Sequence, residues 1–299
     1  MSDFVTGPVT VRSPATSANL GPGYDCLGLC LDLADVVSAE VTGLGTEIIM
    51  TGEGCTDLPD DDSHLVVSTI RGAFDAWQVR QPGIRLTCDN AIPQGRGLGS
   101  SAAAIVAGLR LAEALLPGHV VTEAETLSLA AVLDGHADNV AACLLGGLAL
   151  TWPDPAGPRA LRLDVDARVV PVVFCADRPM STSLARGLLP ESVSHGEAAA
   201  NSARVGLLVM AMTSRPDLLL SATVDHLHQE PRRSAYPDSM RLVDVLREQS
   251  VPAVISGAGP SVLALCTEEQ VSALASEVLD GWSLLPLSVD TLGARLLPD

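Results

Sequence analysis

A glycine-rich stretch directly before an apolar helix carries the clearest chemical signal in this chain. It runs from Pro93 to Ala103 and reads P-Q-G-R-G-L-G-S-S-A-A. Its three glycines let the backbone turn tightly and approach a ligand closely. The helix that follows leaves its first N–H groups unpaired, and these donors together with the helix dipole favour a phosphate. The alternative is an ordinary turn with a serine as the helix cap.

Three further segments place polar groups on tight turns. Ser13–Asp25 carries an Asn and an Asp six residues apart on a Gly/Pro-shaped loop, although a plain turn also explains it. Asp134–Asn139 reads D-G-H-A-D-N, which could handle a proton, a hydroxyl or a metal, or could simply start a helix capped by Asp138. Ser256–Ser261 reads S-G-A-G-P-S, a small-residue turn suited to close backbone approach.

Taken in order, these segments resemble the GHMP kinases. That family has an N-terminal S-P-A-x-x-x-N-L-G-x-G-x-D segment, a central P-x-x-x-G-L-G-S-S-A-A loop and a C-terminal S-G-x-G-P/A turn, and all three occur here. The resemblance implies a two-domain α+β fold, with an N-terminal βαβ-type domain, a ferredoxin-like C-terminal domain and an active site between them. It also implies ATP and Mg²⁺ as cofactors.

Within the family, three shorter runs are similar to the branch that phosphorylates homoserine. They are D-G-H-A-D-N-V-A from Asp134, S-T-S-L-A-R-G-L-L-P from Ser181 and L-H-Q-E-P-R from Leu227. The implied reaction transfers the γ-phosphate of ATP to the side-chain hydroxyl of L-homoserine, a step of threonine biosynthesis. Planar arginine donors suit the carboxylate of an amino acid, although arginines in general are more often surface charges.

The resemblance assigns a role to each of the following residues. ATP is expected along the loop, at Pro93, Gln94, Gly95, Arg96, Gly97, Leu98, Gly99, Ser100, Ser101, Ala102 and Ala103. Arg186 and Arg232 would hold the substrate carboxylate, and Asp25 would pair with its ammonium group. The substrate is further expected to contact Asn19, His136, Gly257 and Gly259. The catalytic residues would be Asp138, Asn139 and Thr182, with Asp138 either accepting the hydroxyl proton or only orienting the hydroxyl.

The chain departs from the family pattern at the acidic magnesium ligand. Asp134 stands where a Glu is usual, and no Glu occurs between Glu125 and Glu191. Ser101 and Asp134 are therefore the predicted metal ligands, with Glu125 as a second acidic candidate. Arg233 beside Arg232 leaves some ambiguity about the carboxylate ligand, and the spacing from His228 favours Arg232. We interpret His228 as structural.

Composition narrows the function further. The formal net charge is -18 and all 18 basic residues are arginine, which excludes lysine chemistry and argues against nucleic-acid or anionic-membrane partners. The seven cysteines form no C-x-x-C pair, so neither a disulfide framework nor a zinc knuckle is indicated. No signal peptide or membrane span is expected, which points to the cytoplasm. The family resemblance suggests a homodimer.

The elements that position these residues mix strands and helices. Strands are predicted at 9–11, 35–41, 83–88, 146–152, 169–175, 251–256 and 284–290. Helices are predicted at 65–77, 102–116, 123–133, 197–212, 217–228, 238–248 and 267–280. The residues between the first two strands are predicted to form turns.

Pro153–Pro158 is rich in Pro and Gly and is predicted to be a turn or loop. We place the domain boundary there, giving an ATP-binding domain at 1–157 and a C-terminal domain at 158–299. Two alternatives to a homoserine-phosphorylating enzyme remain at this point. One is a GHMP kinase acting on mevalonate-like or sugar substrates, and the other is a catalytically inactive ATP-binding regulatory protein.

Overall fold

The first of two sheets is built around a long β-hairpin. The computed structural model describes residues 4–43, 45–180, 185–274 and 280–298. In sheet order the central path is β11-β1-β2-β4-β3, with β5 pairing β2 and β6 pairing β5. The strands are β1 Val9–Asn19, β2 Gly23–Thr42, β3 Thr46–Gly52, β4 Gly83–Asn90, β5 Leu148–Asp154, β6 Gly157–Leu163 and β11 Arg295–Leu296.

Four helices cover one face of this sheet. They are α1 Leu65–Ala76, α2 Ser100–Leu115, α3 Glu123–Asp134 and α4 Asp138–Leu145. Helix α2 is the central one, packing against α1, α3, α4 and β1, and it is buried along most of its length. Because α2 is apolar on nearly every side, only its N-terminus is available for polar chemistry.

The second sheet is smaller and wholly antiparallel, in the order β10-β7-β9-β8. Its strands are β7 Val170–Ala176, β8 Ala253–Ile255, β9 Val262–Cys266 and β10 Trp282–Pro286. The remaining helices are α5 His195–Thr213, α6 Leu219–Ala222 (preceded by a 3₁₀ turn at Pro216–Leu218), α7 Pro237–Glu248 and α8 Glu268–Leu274. Helix α7 packs on β8 and β9 around a second apolar core. Mixed sheets and helices in two layers confirm the α+β prediction.

The prediction of turns between the first two strands was wrong. Residues 9–19 and 23–42 form two long antiparallel strands joined at Leu20–Pro22. Two irregularities in their register, after Pro14 and after Ala18, accommodate the turn-forming residues within the sheet. β-Bulges of this kind redirect side chains, and here they bring the end of β1 to the site described below.

The turn or loop predicted at Pro153–Pro158 is confirmed as the turn of the β5–β6 hairpin. A boundary after residue 157 would divide this hairpin between two domains. A division that keeps every hydrogen-bonded strand with its sheet has to fall between Leu163 and Val170, and we propose it there. Strand β3 was not predicted. The helix predicted at 217–228 is reduced to the 3₁₀ turn and the short helix α6 at 216–222.

Most other predicted elements are confirmed with shifts of a few residues. The helix predicted at 267–280 is present at Glu268–Leu274, and residues 275–279 lie outside the described part of the chain. None of the described helices is both long and apolar enough to cross a membrane.

Candidate active site

The loop between β4 and α2 has the conformation that its glycines predict. Gly95, Gly97 and Gly99 have φ angles of 66°, 75° and 67°, in the left-handed region that side-chain-bearing residues rarely adopt. Gly99 is the residue that precedes α2, and no side chain caps the helix there. The first turn of α2 therefore presents its N–H groups to whatever lies in front of the loop.

The carbonyl groups of this loop are occupied by the rest of the protein. Gly95 O accepts a hydrogen bond from Met180 N at 2.8 Å and Leu98 O accepts one from Thr16 N at 3.0 Å. Gly97 O accepts one from the Ser256 hydroxyl at 2.6 Å. Among the described residues, no acceptor is found for the N–H groups of residues 97–102. The loop is thus an array of oriented backbone donors, which suits a polyanion.

Two of the glycines are also required by close packing. A Cβ at Gly97 would overlap the backbone oxygen of Ser256, and a Cβ at Gly99 would overlap the hydroxyl of Thr16. Thr16 in turn donates a hydrogen bond of 2.8 Å to Oδ1 of Asn139. The loop is therefore held between the first strand, helix α4 and the turn after β8.

Three of the residues predicted to bind ATP do not line the cavity. Pro93, Arg96 and Leu98 are absent from its lining, and Leu98 lies in the apolar core. The Arg96 guanidinium donates to the carbonyls of Ala176 and Asp177, both at 2.9 Å. Its charge therefore ties the loop to the second sheet and does not face a phosphate.

The cavity in front of the loop has a volume of about 570 Å³. The remaining predicted loop residues line it, namely Gln94, Gly95, Gly97, Gly99, Ser100, Ser101, Ala102 and Ala103. The other predicted site residues on its wall are Asn19, Asp25, Asp134, His136, Asp138, Asn139, Arg186, Arg232, Gly257 and Gly259. The structure thus brings together segments that are up to 240 residues apart (Asn19 to Gly259) in one cavity of ligand size.

The turn at the end of β1 is held in an unusual backbone conformation. Asn19, Leu20 and Asp25 all have positive φ, at 69°, 49° and 55°. The Asn19 side chain donates to Gly257 O at 2.9 Å and accepts from Asp25 N at 3.0 Å. Asn19 therefore links the two turns that carry Asp25 and Gly257, which is a positioning role that the sequence did not predict. Such conformations persist only where surrounding contacts enforce them.

Asp138 lies at the start of α4 and is almost completely buried. Its Oδ1 accepts a hydrogen bond from Asn139 N at 2.7 Å. Burial raises the pKa of this carboxyl to about 7, the bond from Asn139 opposes the rise, and the charges of Asp25 and Asp134 add to it. A carboxyl with a pKa near neutrality has the protonation range of a general base.

Asp134 ends α3 and is adjacent to the phosphate-facing serines. Burial raises its pKa, whereas the nearby His136 and a hydrogen bond from the Ser101 side chain lower it. Asp134 and Ser101 both line the cavity wall. Glu125, the other acidic candidate, is committed to a capping box with Thr122 at the start of α3 and does not line the cavity. Its candidacy as a metal ligand was wrong.

Arg186 and Arg232 both lie close to the ring of Tyr24. Each guanidinium carbon is 5.6 Å from the centre of the Tyr24 ring. Arg186 donates to the Tyr24 hydroxyl at 2.8 Å and to Asp25 at 2.7 Å. The buried Arg232 donates to Ala185 O at 2.9 Å, which fixes the backbone just before Arg186. The two arginines thus form one cationic unit on the cavity wall.

His228 and Arg233, which lie near Arg232 in the sequence, are both engaged by partners of their own. His228 is buried, its Nε2 donates to Gly21 O at 2.8 Å, and its Nδ1 accepts from Arg232 at 3.2 Å, so its ring is fully engaged in support of Arg232. Arg233 is paired with Glu230 and Asp244 on the surface and does not line the cavity. Thr182, a predicted catalytic residue, lies outside the described residues.

Several residues of the site were not predicted from sequence. Tyr24 adjoins the motif residue Asp25 and is one of only two tyrosines, a signal that was available. Thr16 and Ser256 hold the loop through hydroxyls that resemble any other in sequence. His64 lines the far end of the cavity with its Nδ1 unpaired among the described residues, and no pattern singled it out.

Comparison with known proteins identifies the family. The model of the GHMP kinases N terminal domain matches residues 64–147, and that of the GHMP kinases C terminal domain matches residues 211–283. The chain belongs to the GHMP kinase family. This kinase is 50% identical over 297 residues to the homoserine kinase of Streptomyces avermitilis, covering 99% of this chain and 97% of that one. It is 45% identical to the homoserine kinase of Clavibacter michiganensis, covering 96% and 93%.

A solved structure also matches this chain along nearly its whole length. The kinase superimposes on the crystal structure of homoserine kinase from Cytophaga hutchinsonii with a TM-score of 0.84 and 27% identity, covering 97% of each chain. The predicted two-domain GHMP kinase fold is thereby confirmed.

Proposed function

We propose that this kinase transfers the γ-phosphoryl group of ATP to the side-chain hydroxyl of L-homoserine, giving O-phospho-L-homoserine and ADP, a step of threonine biosynthesis. One observation carries the proposal. The cavity combines an array of oriented backbone donors with an ion pair, Asp25–Arg186, and a second arginine, Arg232. The donors suit a polyphosphate, and the charged groups suit a zwitterionic amino acid.

ATP would lie with its phosphates against residues 95–102. Among the described residues, the N–H groups of 97–102 have no acceptor, so binding a phosphate would not require breaking hydrogen bonds to them. The base and ribose would extend toward the end of the cavity lined by Leu58, Pro59, His64 and Leu65, where the wall is largely apolar. Phosphoryl transfer depends mostly on positioning and charge stabilisation, and a rigid donor array supplies both.

Homoserine would bind on the other side of the cavity from the nucleotide. Its two charged groups would separate the Asp25–Arg186 ion pair and bind one member each. Asp25 and Arg186 are each about one-third exposed, at 36% and 33%, and so remain accessible to a ligand. The substrate ammonium would take Asp25, and its carboxylate would take Arg186 together with Arg232. This arrangement directs the hydroxyl toward the Asp138–Asn139 segment, where Asp138 would accept its proton or orient it. Thr182, predicted from resemblance to lie near the transferred phosphate, stays a prediction.

Magnesium would be held by Ser101 and Asp134 beside the phosphates. Both side chains line the cavity, and two such oxygens fit a metal that takes one or two protein ligands and completes its shell with phosphate and water. Among the described residues, no group of three or more His, Cys, Asp or Glu could hold a metal ion, so a dedicated protein cage is not proposed. The cation would neutralise part of the negative charge that the nucleotide and the four carboxylates of the cavity bring together.

The experiment measures ADP release by the full chain with L-homoserine, mevalonate or galactose as the acceptor. The proposal predicts turnover with homoserine at least about 100-fold above that with either alternative, since the carboxylate and ammonium contacts are lost with those compounds. Turnover with mevalonate and none with homoserine would leave the kinase family standing and reject the substrate. ATP binding without any turnover would favour a regulatory protein. A cytoplasmic homodimer is also part of the proposal, and light scattering in solution tests the dimer.

A further inference from the structure

The chain enters the phosphate loop through a segment whose backbone N–H groups have left the hydrogen bonding of the sheet. Strand β4 pairs with β2 as far as Asp89 opposite Val36 and with β3 as far as Asn90 opposite Gly52, and then leaves the sheet. Ala91 and Ile92 follow, and Ile92 is completely buried. Their N–H groups have no strand partner at this point, and a buried N–H without an acceptor is strongly disfavoured.

A single carboxylate oxygen resolves this problem. Oδ1 of Asp35 accepts hydrogen bonds from Ala91 N at 2.7 Å and from Ile92 N at 2.9 Å. Asp35 belongs to β2, is only 5% exposed, and lines the inner end of the nucleotide cavity. Burial raises the pKa of Asp35 to about 6 and the two N–H bonds oppose that rise, so the group is ionised at neutral pH.

The position of these two bonds along the chain matters. Residue 93 is proline and has no N–H to anchor, and among the described residues the N–H groups of 97–102 have no acceptor. Ile92 N is therefore the last backbone donor held by the protein before the loop begins. Downstream, the loop is held through the carbonyls of Gly95, Gly97 and Leu98 and through the side chain of Arg96. The entry of the loop thus depends on Asp35, while its exit depends on Thr16 and Ser256.

We propose that Asp35 is a positioning residue for ATP, and that its carboxylate sets the direction in which the phosphate loop leaves β4. Asp35 acts through the backbone of Ala91 and Ile92. It is not proposed to touch the transferred phosphoryl group or the acceptor hydroxyl. A second anchor nearby does not replace it, because Asn90 Nδ2 donates to Glu53 O at 3.1 Å and so fixes the chain one residue earlier. The proposal rests on the proposed function only in taking ATP as the ligand of the loop.

The test compares Asp35→Ala and Asp35→Asn with the parent chain. Asparagine keeps an oxygen that can accept both N–H groups, whereas alanine removes it. Binding of a non-hydrolysable ATP analogue with magnesium is measured by calorimetry, and Michaelis constants for ATP and homoserine are measured separately. We expect Asp35→Ala to weaken analogue binding at least about 10-fold and to change the homoserine constant less than about 3-fold, with Asp35→Asn within about 3-fold of the parent for both.

Asp89→Asn is the matched control, because Asp89 lies on β4 three residues before Ile92 but is exposed and accepts a hydrogen bond from the Thr51 hydroxyl at 3.0 Å rather than from the backbone at the loop entry. It should bind the analogue like the parent. Unchanged analogue binding in a folded Asp35→Ala protein would overturn the proposal, as would equal changes in both Michaelis constants. If Asp35→Ala fails to fold, Asp35→Asn decides, because a loss of 10-fold or more in this variant would contradict the role of the acceptor oxygen. Since the analogue assay needs no acceptor substrate, failure of the homoserine assignment would not affect it.

Discussion

Oδ1 of Asp25 lies 2.7 Å from Nη2 of Arg186, and Oδ2 of the same carboxylate lies 3.3 Å from Nη1. The pair lines the cavity in front of the phosphate loop, and both side chains are partly exposed. The ammonium group of a ligand can replace Arg186 as the partner of Asp25, and the carboxylate of the same ligand can replace Asp25 as the partner of Arg186. We therefore propose the ion pair as a preformed receptor for a zwitterion.

Removing Arg186 should weaken homoserine binding and leave ATP binding nearly unchanged. Loss of one member of a buried charge pair costs about 2–5 kcal/mol, and partial exposure places Arg186 at the low end, so we expect roughly a 30-fold rise in the homoserine constant. Arg186→Lys should not restore it, because a point charge cannot replace the planar fork. Steady-state kinetics with each substrate varied in turn make the measurement.

Arg233→Ala is the matched control for this experiment. Arg233 is paired with Glu230 and Asp244 at the surface, so its removal should leave both Michaelis constants within about 2-fold of the parent. A rise in the ATP constant equal to the rise for homoserine in Arg186→Ala would instead assign Arg186 to the nucleotide.

Valine at Gly99 should abolish ATP binding. Its Cβ would overlap the Thr16 hydroxyl, and a β-branched residue strongly disfavours the φ of 67° found there. Calorimetry with ATP should show no measurable binding, and circular dichroism should show the helices retained. Gly118→Val serves as the control, because no atom lies within 4 Å of a Cβ at that position. Unchanged affinity in a folded Gly99→Val protein would remove the loop from the ATP site.

The sequence predicted this loop well because its information is local. Three glycines, two serines and an apolar helix lie within one short stretch, and the φ angles follow from the residue types. The roles of Thr16, Ser256 and Asp35 could not be predicted, because each depends on a hydrogen bond to a residue at least 50 positions away. The long strands β1 and β2 were missed for a related reason, since their turn-forming residues are accommodated by register shifts that only the sheet pairing specifies.

Asp138 should give activity an acidic limit and should cost the protein stability at high pH. Its pKa of about 7 lies above the ordinary 3.8, so the folded chain retains a proton that the unfolded chain releases between about pH 4 and pH 7. The free energy of unfolding therefore falls as pH rises through that window. At pH 8 the Asp138→Asn protein should be more stable than the parent, on the order of 2–4 kcal/mol, and the difference should shrink at pH 5.

Thermal unfolding at both pH values measures this difference, with the exposed Asp238→Asn as control. In the parent, the specificity constant for homoserine should fall as the pH drops below about 7, and Asp138→Asn should lose at least about 100-fold in turnover. A stability difference that grows toward low pH would have the wrong sign and would refute the assigned pKa.

Ser101→Ala should lower turnover more than it weakens ATP binding, because one hydroxyl is only part of the proposed magnesium shell. We expect roughly a 10-fold or greater loss of turnover, with part of it recovered as magnesium is raised. The control is Ser68→Ala, an exposed serine of α1 whose hydroxyl donates to Leu65 O. A magnesium titration of activity identical to that of the parent would exclude Ser101 from the metal site.

The most direct test of the central claim identifies the product. The full chain is incubated with ATP, magnesium and L-homoserine, and the mixture is followed by phosphorus NMR. The account predicts loss of the γ-phosphate resonance, matching growth of ADP and one new phosphate-monoester resonance that couples to the methylene protons of the former hydroxyl carbon. Formation of ADP with free phosphate alone, or no change with homoserine while mevalonate is phosphorylated, would contradict it.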